Sequence, residues 1–266
     1  MVICPLCKKP LSREAKSWCC ENGHGFDEAR QGYVNLLTVQ QKHSLHPGDT
    51  REMVLARRHF LEAGFYLPIG QTLKKLVAQY RPKAQKVLDV GCGEGYYLSH
   101  LTHIPERVGI DISKEAVRCA AGKYKDSLWL TATASHLPFA NSSFDCLLSM
   151  FALTMEEEYY RVLKSGGLFV QVLAGKNHLL GLKNIIYPTL VEKEKNLQPT
   201  LQGFTHIHKE TISFDFSLQD PVQVQNLLSM TPHVWRISKE AAQALQETTS
   251  LKDRAEVVFN LYQANE

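Results

Sequence analysis

Short apolar runs alternate with helical segments through the middle of the chain, over roughly residues 86–172. The runs VLDV, RVGID, SLWLTAT, FDCLLSMF and GGLFVQV are rich in aliphatic residues and bounded by turn residues, as is typical of buried parallel strands. Segments with helical spacing separate most of them, including residues 113–122. This alternation predicts an α/β fold with a doubly wound parallel sheet and right-handed crossovers. Ligands of such sheets bind beyond the carboxyl ends of the strands.

Other elements flank this α/β core. Two helices are expected before it, over about residues 50–61 and 68–80. After the core, residues 211–216 and 255–262 alternate as strands, and they predict an antiparallel hairpin that completes a seven-stranded sheet. Residues 188–210 are polar and resemble an insertion over the ligand-binding edge.

The run VLDVGCGEGYY, residues 87–97, ends its strand in a turn of alternating glycines. Gly91, Gly93 and Gly95 let the backbone approach a ligand closely, as in dinucleotide-binding folds. In the dinucleotide fingerprint the third glycine follows the second by three residues, whereas Gly95 follows Gly93 by two. The carboxylate of Asp89 would also repel a pyrophosphate and attract an ammonium group. The turn therefore predicts a site for S-adenosylmethionine (SAM), and the alternative is a structural turn without a ligand.

The second strand of the core, RVGID at residues 107–111, also ends in an acid. Asp111 stands where a carboxylate can accept hydrogen bonds from two ribose hydroxyls, as the acid of the dinucleotide folds does. The alternative is that Asp111 caps the next helix, but Ser113 is better placed for that task. We therefore assign the cofactor ribose to Asp111. Residues 137–139 (LPF) either face an adenine or pack as a turn.

Cysteines and a histidine near the N-terminus have the spacing of a zinc site. Cys4 and Cys7 form a CxxC knuckle, and Cys20 and His24 follow as a C-x3-H pair, which gives the four ligands of a closed site. Cys19 is the competing choice for one ligand. Since no position is left for a catalytic water, the zinc would be structural, and so short a segment would depend on it for its fold. A redox CxxC pair is the alternative, and it lacks the βαβ context of thioredoxin-like proteins.

Composition narrows the class of protein without naming a substrate. The chain has 266 residues and 44% hydrophobic content, enough for one large domain and a small accessory one. It has no run of membrane-spanning length and no signal-peptide stretch, so we expect a cytoplasmic protein without membrane contact. The net charge is +3, and residues 1–60 carry all of the excess, with nine Lys or Arg against six Asp or Glu. This distribution fits a partner with a phosphate backbone or a solvated face equally well. The same two alternatives hold for three arginines of the first predicted helix, Arg51, Arg57 and Arg58.

Taken together, these segments resemble one known family. CPLC with the C-x3-H pair, GYVNLL, PGD, ARRHFLEAG followed by Tyr66, DVGCGEGYY, RVLKSGG and TPHVWR stand in this order over most of the chain. The chain thus resembles the bacterial 23S rRNA (guanine-N1)-methyltransferases. The resemblance implies a class I SAM-dependent methyltransferase domain with a Rossmann-like sheet over residues 83–266. We place a zinc-binding module at residues 1–40 and a helical linker at residues 41–82 ahead of it.

Carried over position by position, the resemblance also implies ligand contacts and partners. Zinc would be bound by Cys4, Cys7, Cys20 and His24. SAM would be contacted by Tyr66, Gly93, Glu94 and His178. From the residues alone, Tyr66 either covers the cofactor or packs, and a lone loop histidine such as His178 is more often exposed. The family further implies a homodimer whose zinc modules help to grip a 23S rRNA hairpin near the peptide exit tunnel.

The implied reaction is methyl transfer from SAM to N1 of a guanine that is flipped out of its stack. One segment departs from the family, since residues 151–153 read Phe-Ala-Leu where the family has Tyr-Ala-Pro or a similar triplet, which bears on the target-base pocket. No general base is assigned, because a helix start explains the acids at residues 156–158. Two alternatives stay open at this point. One is a methyltransferase of a small molecule, and the other is a non-catalytic RNA-binding protein with a vestigial SAM site.

Overall fold

A computed structural model describes residues 1–42, 44, 47–189 and 195–266. The described residues form a three-stranded antiparallel sheet near the N-terminus and a mixed sheet of eight strands. In chain order the strands are β1 (Ser12–Glu14), β2 (Ser17–Cys19), β3 (Gly25–Asp27), β4 (Tyr33–Asn35), β5 (Lys86–Val90), β6 (Glu106–Asp111), β7 (Leu128–Thr131), β8 (Phe144–Met150), β9 (Leu163–Ala174), β10 (Phe204–Leu218) and β11 (Leu251–Ala264).

Helices pack around the large sheet, and side chains cap several of them, including those that begin after Thr50 and Ser113. The Oγ1 atom of Thr50 accepts a hydrogen bond from the amide of Met53 at 3.4 Å, and Ser113 Oγ accepts one from the amide of Ala116 at 3.2 Å. Each cap satisfies an amide that the first helical turn leaves without a partner. Within the described ranges, no helix has the length and apolar content needed to cross a membrane. In chain order the helices are α1 (Arg51–Glu62), α2 (Leu67–Tyr80), α3 (Tyr96–Ser99), α4 (Lys114–Lys123), α5 (Glu156–Val162), α6 (Leu180–Ile186), α7 (Pro221–Ser229) and α8 (Lys239–Glu247).

The large sheet has the strand order β10-β11-β9-β8-β5-β6-β7-β4. Within the group β5 to β9, all neighbouring strands are parallel. Strands β11 and β10 continue the sheet beside β9 as an antiparallel hairpin. This arrangement confirms the doubly wound α/β fold and its seven core strands. The strand order reverses at β5, because β6 and β7 lie on one side of it and β8 and β9 lie on the other. Ligands of open α/β sheets bind in the crevice beyond the carboxyl ends at such a point.

The closing hairpin is longer than predicted. Its pairing extends from Phe204 opposite Ala264 to Leu218 opposite Leu251, well beyond residues 211–216 and 255–262. One face of β10 is open to solvent, so polar residues continue the strand and the hydrophobic pattern does not mark its end. The expected polar insertion therefore overlaps the start of β10, and its residues 190–194 lie outside the part of the chain that the structure describes.

Strand β4 adds an eighth strand from the N-terminal 40 residues. It pairs in parallel with β7, and Val34 lies beside Leu130 in the core. Beyond the strand, the amide of Leu36 donates to the carbonyl of Thr131 at 2.9 Å. The N-terminal module and the large sheet thus share a hydrogen-bonded edge.

The first residues of the chain are tied to the loop after β7. The amide of Ile3 donates to the carbonyl of Pro138 at 2.9 Å, and Val2 forms an antiparallel bridge with Phe139. Both side chains of that bridge are buried. Residues 137–139, for which the sequence left adenine contact and turn packing open, therefore pack against the N-terminal module.

Candidate cofactor site and metal centre

Four side chains near the N-terminus converge as a tetrahedral metal site requires. The ligand atoms of Cys4, Cys7, Cys20 and His24 all lie within 4.8 Å of one another. Cys7 Sγ lies 3.6 Å from Cys20 Sγ, and His24 Nδ1 lies 3.5 Å from Cys4 Sγ and 3.4 Å from Cys20 Sγ. Tetrahedral zinc with zinc–sulfur bonds of about 2.3 Å holds its sulfur ligands about 3.8 Å apart. The donor set therefore fits zinc, and Cys19 lies outside the cluster.

Two tight turns bring these ligands together. In the first, the amide of Cys4 donates to the carbonyl of Lys9 at 2.8 Å. In the second, the amide of Gly23 donates to the carbonyl of Cys20 at 2.9 Å, and Gly23 has a φ of +80°, which glycine adopts without strain. The backbone amide of Lys9 is the main factor that lowers the pKa of Cys7 to about 6. The first turn therefore favours the thiolate of Cys7, the form that binds a metal.

The glycine turn after β5 has two glycines that packing requires and one with open space beside it. A Cβ on Gly95 would lie 2.5 Å from the ring of Trp129, and one on Gly91 would lie 2.9 Å from the loop after β8. At Gly93, with φ of +55°, the nearest atom would be Arg57 Nη1 at 3.8 Å. The backbone of Gly93 is thus the part of the turn that a cofactor can approach.

Asp89 is a buried carboxylate without a hydrogen-bond partner among the described residues. Its side chain is 1% exposed, and neither oxygen is paired. Burial, together with the nearby carboxylates of Asp111 and Glu94, raises the pKa of Asp89 to about 8. A buried unpaired polar group costs free energy, so one left at the end of a strand points to a ligand that satisfies it. An ammonium group fits this position.

Asp111 lies at the end of β6 and holds the glycine turn in place. Its Oδ2 accepts from the amide of Gly93 at 3.0 Å, and its Oδ1 accepts from the amide of Ser113 at 2.8 Å. Burial raises the pKa of Asp111, although the two amides oppose the shift. As expected, Ser113 and not Asp111 provides the side-chain cap of α4. A carboxylate has about four lone-pair positions, so Asp111 retains acceptors for a diol.

Arg57 is a residue of this site that the sequence left undecided. It forms an ion pair with Asp49, and its Nη2 donates to the carbonyl of Met230 at 3.0 Å. Burial acts to lower the pKa of Arg57, but the carboxylates of Asp49 and Glu94 raise it. Glu94 is itself buried, and burial raises its pKa while Arg57 opposes the rise. The turn is therefore surrounded by carboxylates with a single guanidinium among them.

Tyr66 and His178 meet in the interior beside the turn. The hydroxyl of Tyr66 lies 3.3 Å from His178 Nε2, and both residues are buried. Burial lowers the pKa of His178 to about 4, so the ring is neutral at pH 7. Its Nδ1 has no partner among the described residues. Although a lone loop histidine is more often exposed, His178 lies in the interior.

The loop after β8 presents apolar side chains at the same edge. Phe151 has a φ of +56°, an uncommon conformation for an aromatic residue, and is 39% exposed. Its ring stacks on that of His178 with centroids 6.1 Å apart. Leu153 is 79% exposed, and its carbonyl accepts from the hydroxyl of Tyr159 at 2.9 Å. The loop is therefore held by hydrogen bonds while its apolar side chains face solvent.

Comparisons with known proteins match both parts of the chain. A zinc-ribbon family model described as "RlmA, N-terminal" matches residues 2–45, and one described as "Methyltransferase domain" matches residues 88–171. The Bacillus subtilis protein YxjB, whose name assigns it provisionally to the 23S rRNA (guanine-N(1)-)-methyltransferases, is 30% identical over 264 residues, which cover 94% of this chain and 92% of YxjB. The 23S rRNA (guanine(748)-N(1))-methyltransferase of Streptomyces fradiae is 35% identical over 187 residues, which cover 67% of this chain and 65% of that protein.

Zinc content should distinguish Cys20 from Cys19. We expect Cys20→Ser to lose its zinc and to unfold its module more readily, because only three ligands remain. Cys19→Ser, the matched control, should retain about one zinc per chain. Metal analysis by plasma mass spectrometry after a chelator wash makes the comparison, and equal zinc content in the two variants would contradict the ligand set.

Proposed function

Because this chain belongs to the family of 23S rRNA (guanine-N1)-methyltransferases, we propose that it methylates N1 of a guanine in a 23S rRNA hairpin. The protein is a SAM-dependent methyltransferase, and its zinc ribbon carries a structural zinc. The observation that carries the proposal is that the similarity to YxjB spans the zinc ribbon as well as the methyltransferase domain. A SAM-binding domain alone is compatible with many substrates, whereas the combination supports rRNA.

The cofactor contacts that we propose follow from the hydrogen-bonding capacity that remains at the sheet edge. Asp89 would accept from the methionyl ammonium group, and Asp111 would accept from the ribose hydroxyls. If the Tyr66 hydroxyl donates to Nε2 of His178, then Nδ1 of the neutral ring carries a proton and can donate to the methionyl carboxylate. Gly93 would offer its backbone, with Gly91 and Gly95 shaping the turn and Glu94 completing the wall of the site.

The proposed chemistry is a single displacement. SAM supplies a methyl group that is already activated by its sulfonium charge. Guanine N1 would accept this methyl group, with the N–C bond formed as the S–C bond is broken, and the N1 proton would pass to water. Two of the three acids of α5 are already engaged, since Glu156 accepts from the amide of Gln202 at 3.0 Å and Glu158 pairs with Arg161, while Glu157 is exposed. We therefore attribute the rate mainly to positioning of the base.

The loop after β8 is where we place the flipped guanine. It adjoins the glycine turn, and it exposes Phe151 and Leu153 on a backbone fixed by hydrogen bonds. A base removed from its stack needs an aromatic or apolar face to replace the lost stacking. The left-handed backbone of Phe151 holds its ring against His178, which we propose as a cofactor contact. This assignment gives Phe-Ala-Leu, the departure from the family triplet, a direct role in base binding.

We also propose that the protein is a cytoplasmic homodimer that binds the hairpin through both of its modules. Family resemblance supports the dimer, and the hydrogen bonds between the first residues and the loop after β7 support joint use of the modules. Sedimentation equilibrium should give twice the chain mass of 30.1 kDa. A single-chain mass at micromolar concentration would contradict the dimer.

Binding of SAM should release a proton from Asp89. With a pKa of about 8, the cofactor-free carboxyl is mostly protonated at pH 7, and the ammonium group favours the charged form, so affinity should rise from pH 6 to pH 8. Calorimetry in buffers of different ionisation enthalpy measures the release. We expect Asp89→Asn to lose the release and to weaken SAM binding by roughly 10- to 100-fold. Asp145→Asn, at the other end of the neighbouring strand β8, is the control, and unchanged binding by Asp89→Asn would contradict the assignment.

Phe151 should affect the rRNA more than the cofactor. We expect Phe151→Leu to raise the KM for rRNA by about tenfold through lost stacking of about 1–3 kcal/mol, with SAM affinity within about twofold. Phe151→Tyr should restore the KM because it keeps the ring. Steady-state methylation with labelled SAM provides both constants. If Phe151→Leu and the wild type have the same KM for rRNA, the base does not stack on this ring.

Mapping of the modified nucleotide tests the proposed function itself. Methylation at N1 blocks Watson–Crick pairing, so reverse transcriptase should stop at one guanine of 23S rRNA from the wild-type strain and read through it in a deletion strain. Complementation with the wild-type chain should restore the stop, and complementation with Asp89→Asn should leave it reduced. A 23S rRNA without any stop that depends on this chain would contradict the proposal.

A further inference from the structure

The arginines of α1 point to different sides of the helix. Arg57 is at the glycine turn, whereas Arg51 and Arg58 line a groove between α1 and α4. The groove has a volume of about 400 Å³ and is separate from the cofactor residues described above. For Arg51 and Arg58 the sequence left two interpretations open, contact with phosphates and a solvated face. The properties of the groove alone can decide between them.

Both walls of the groove carry positive charge. Arg51 and Arg58 lie on the α1 wall, and Arg118 and Lys123 lie on the α4 wall with one acid, Glu115. Glu62 bridges Arg58 and Lys123 across the groove, and Glu115 pairs with Arg118. Four cationic groups thus face two carboxylates. The carboxylates hold three of the four cations in position, and the groove keeps a net positive charge. Side chains held in this way lose less conformational entropy when they bind an anion.

One end of the groove lies near the glycine turn. The hydroxyl of Ser113, the cap of α4, donates to the carbonyl of Asp49 at 2.7 Å, and Asp49 directly precedes Thr50, the cap of α1. The N-terminal ends of the two helices are therefore joined beside the residues that hold the glycine turn. Gln31 of the N-terminal module also lines the groove. A ligand in the groove would lie against both modules while remaining close to the cofactor edge.

The dimensions suit a polynucleotide backbone. From Glu115 to Lys123 an α-helix rises about 12 Å, and phosphates of one stacked strand are about 3.4 Å apart along the axis, so roughly three phosphates fit. The open groove with charge on two walls favours a chain of phosphates over a single enclosed anion.

We propose that the groove between α1 and α4 binds the phosphate backbone of the RNA substrate next to the target guanine. This inference rests on the proposed function and adds the surface that holds the RNA. Arg51 and Arg118 would contact phosphates from opposite walls. Their role is to position the strand, because phosphate contacts fix register without reading the sequence.

The test compares the double variant Arg51→Gln/Arg118→Gln with a matched control. Lys75→Gln/Lys209→Gln removes the same charge at α2 and β10, and β10 is the sheet edge opposite to β4. Methylation of 23S rRNA from the deletion strain is measured over a range of NaCl concentrations. For the groove variant we expect the KM for rRNA to rise about tenfold or more. We also expect the slope of log kcat/KM against log salt to become less negative by roughly 0.7 for each lost phosphate contact.

If the groove variant does not behave as expected, the other measured quantities show which of the two proposals is wrong. Positioning of the strand predicts that kcat at saturating rRNA, SAM affinity and thermal unfolding of the groove variant match those of the control. A KM and a salt slope equal to those of the control, with an active wild type, would overturn the groove proposal alone. Absence of methylation by the wild type would overturn the proposed function on which the groove proposal rests.

Discussion

The organisation of the site depends on the crowding of carboxylates around one glycine turn. Asp89, Glu94 and Asp111 are brought together by the ends of two neighbouring parallel strands and the turn between them, and Arg57 is the cation that faces them. Burial raises the pKa of all three acids, and neighbouring carboxylates raise each pKa further. Two amides hold Asp111, whereas Asp89 has no hydrogen-bond partner in the described part of the chain. A ligand with positive charge relieves this arrangement, and a pyrophosphate would make it worse.

The zinc ribbon is integrated with the methyltransferase domain. One strand from the N-terminal segment extends the large sheet, and the first residues bond to the loop after β7. Zinc therefore stabilises a module that covers part of the catalytic domain and contributes Gln31 to the groove between α1 and α4. Through these contacts the small metal-dependent fold takes a fixed position relative to the methyltransferase domain.

The sequence was most informative where the relevant signal is local. The glycine turn, the acids at the strand ends and the zinc knuckles each lie within a few residues, so their spacing specifies their geometry. The contact between Arg57 and Met230 spans 173 positions, and no pattern in the sequence joins them. The four-residue spacing of Arg57 from the buried Met53 and Leu61 does mark it as inward-facing. The ends of β10 were missed because its solvent-facing positions are polar like a loop.

The most direct test of the central claim identifies the product of the reaction. Purified protein is incubated with methyl-labelled SAM and unmethylated 23S rRNA, and the RNA is digested to nucleosides for mass spectrometry. We expect labelled 1-methylguanosine, formed at no more than one site per rRNA. Label in another nucleoside, or guanosine methylated at N2 or N7 instead of N1, would contradict it.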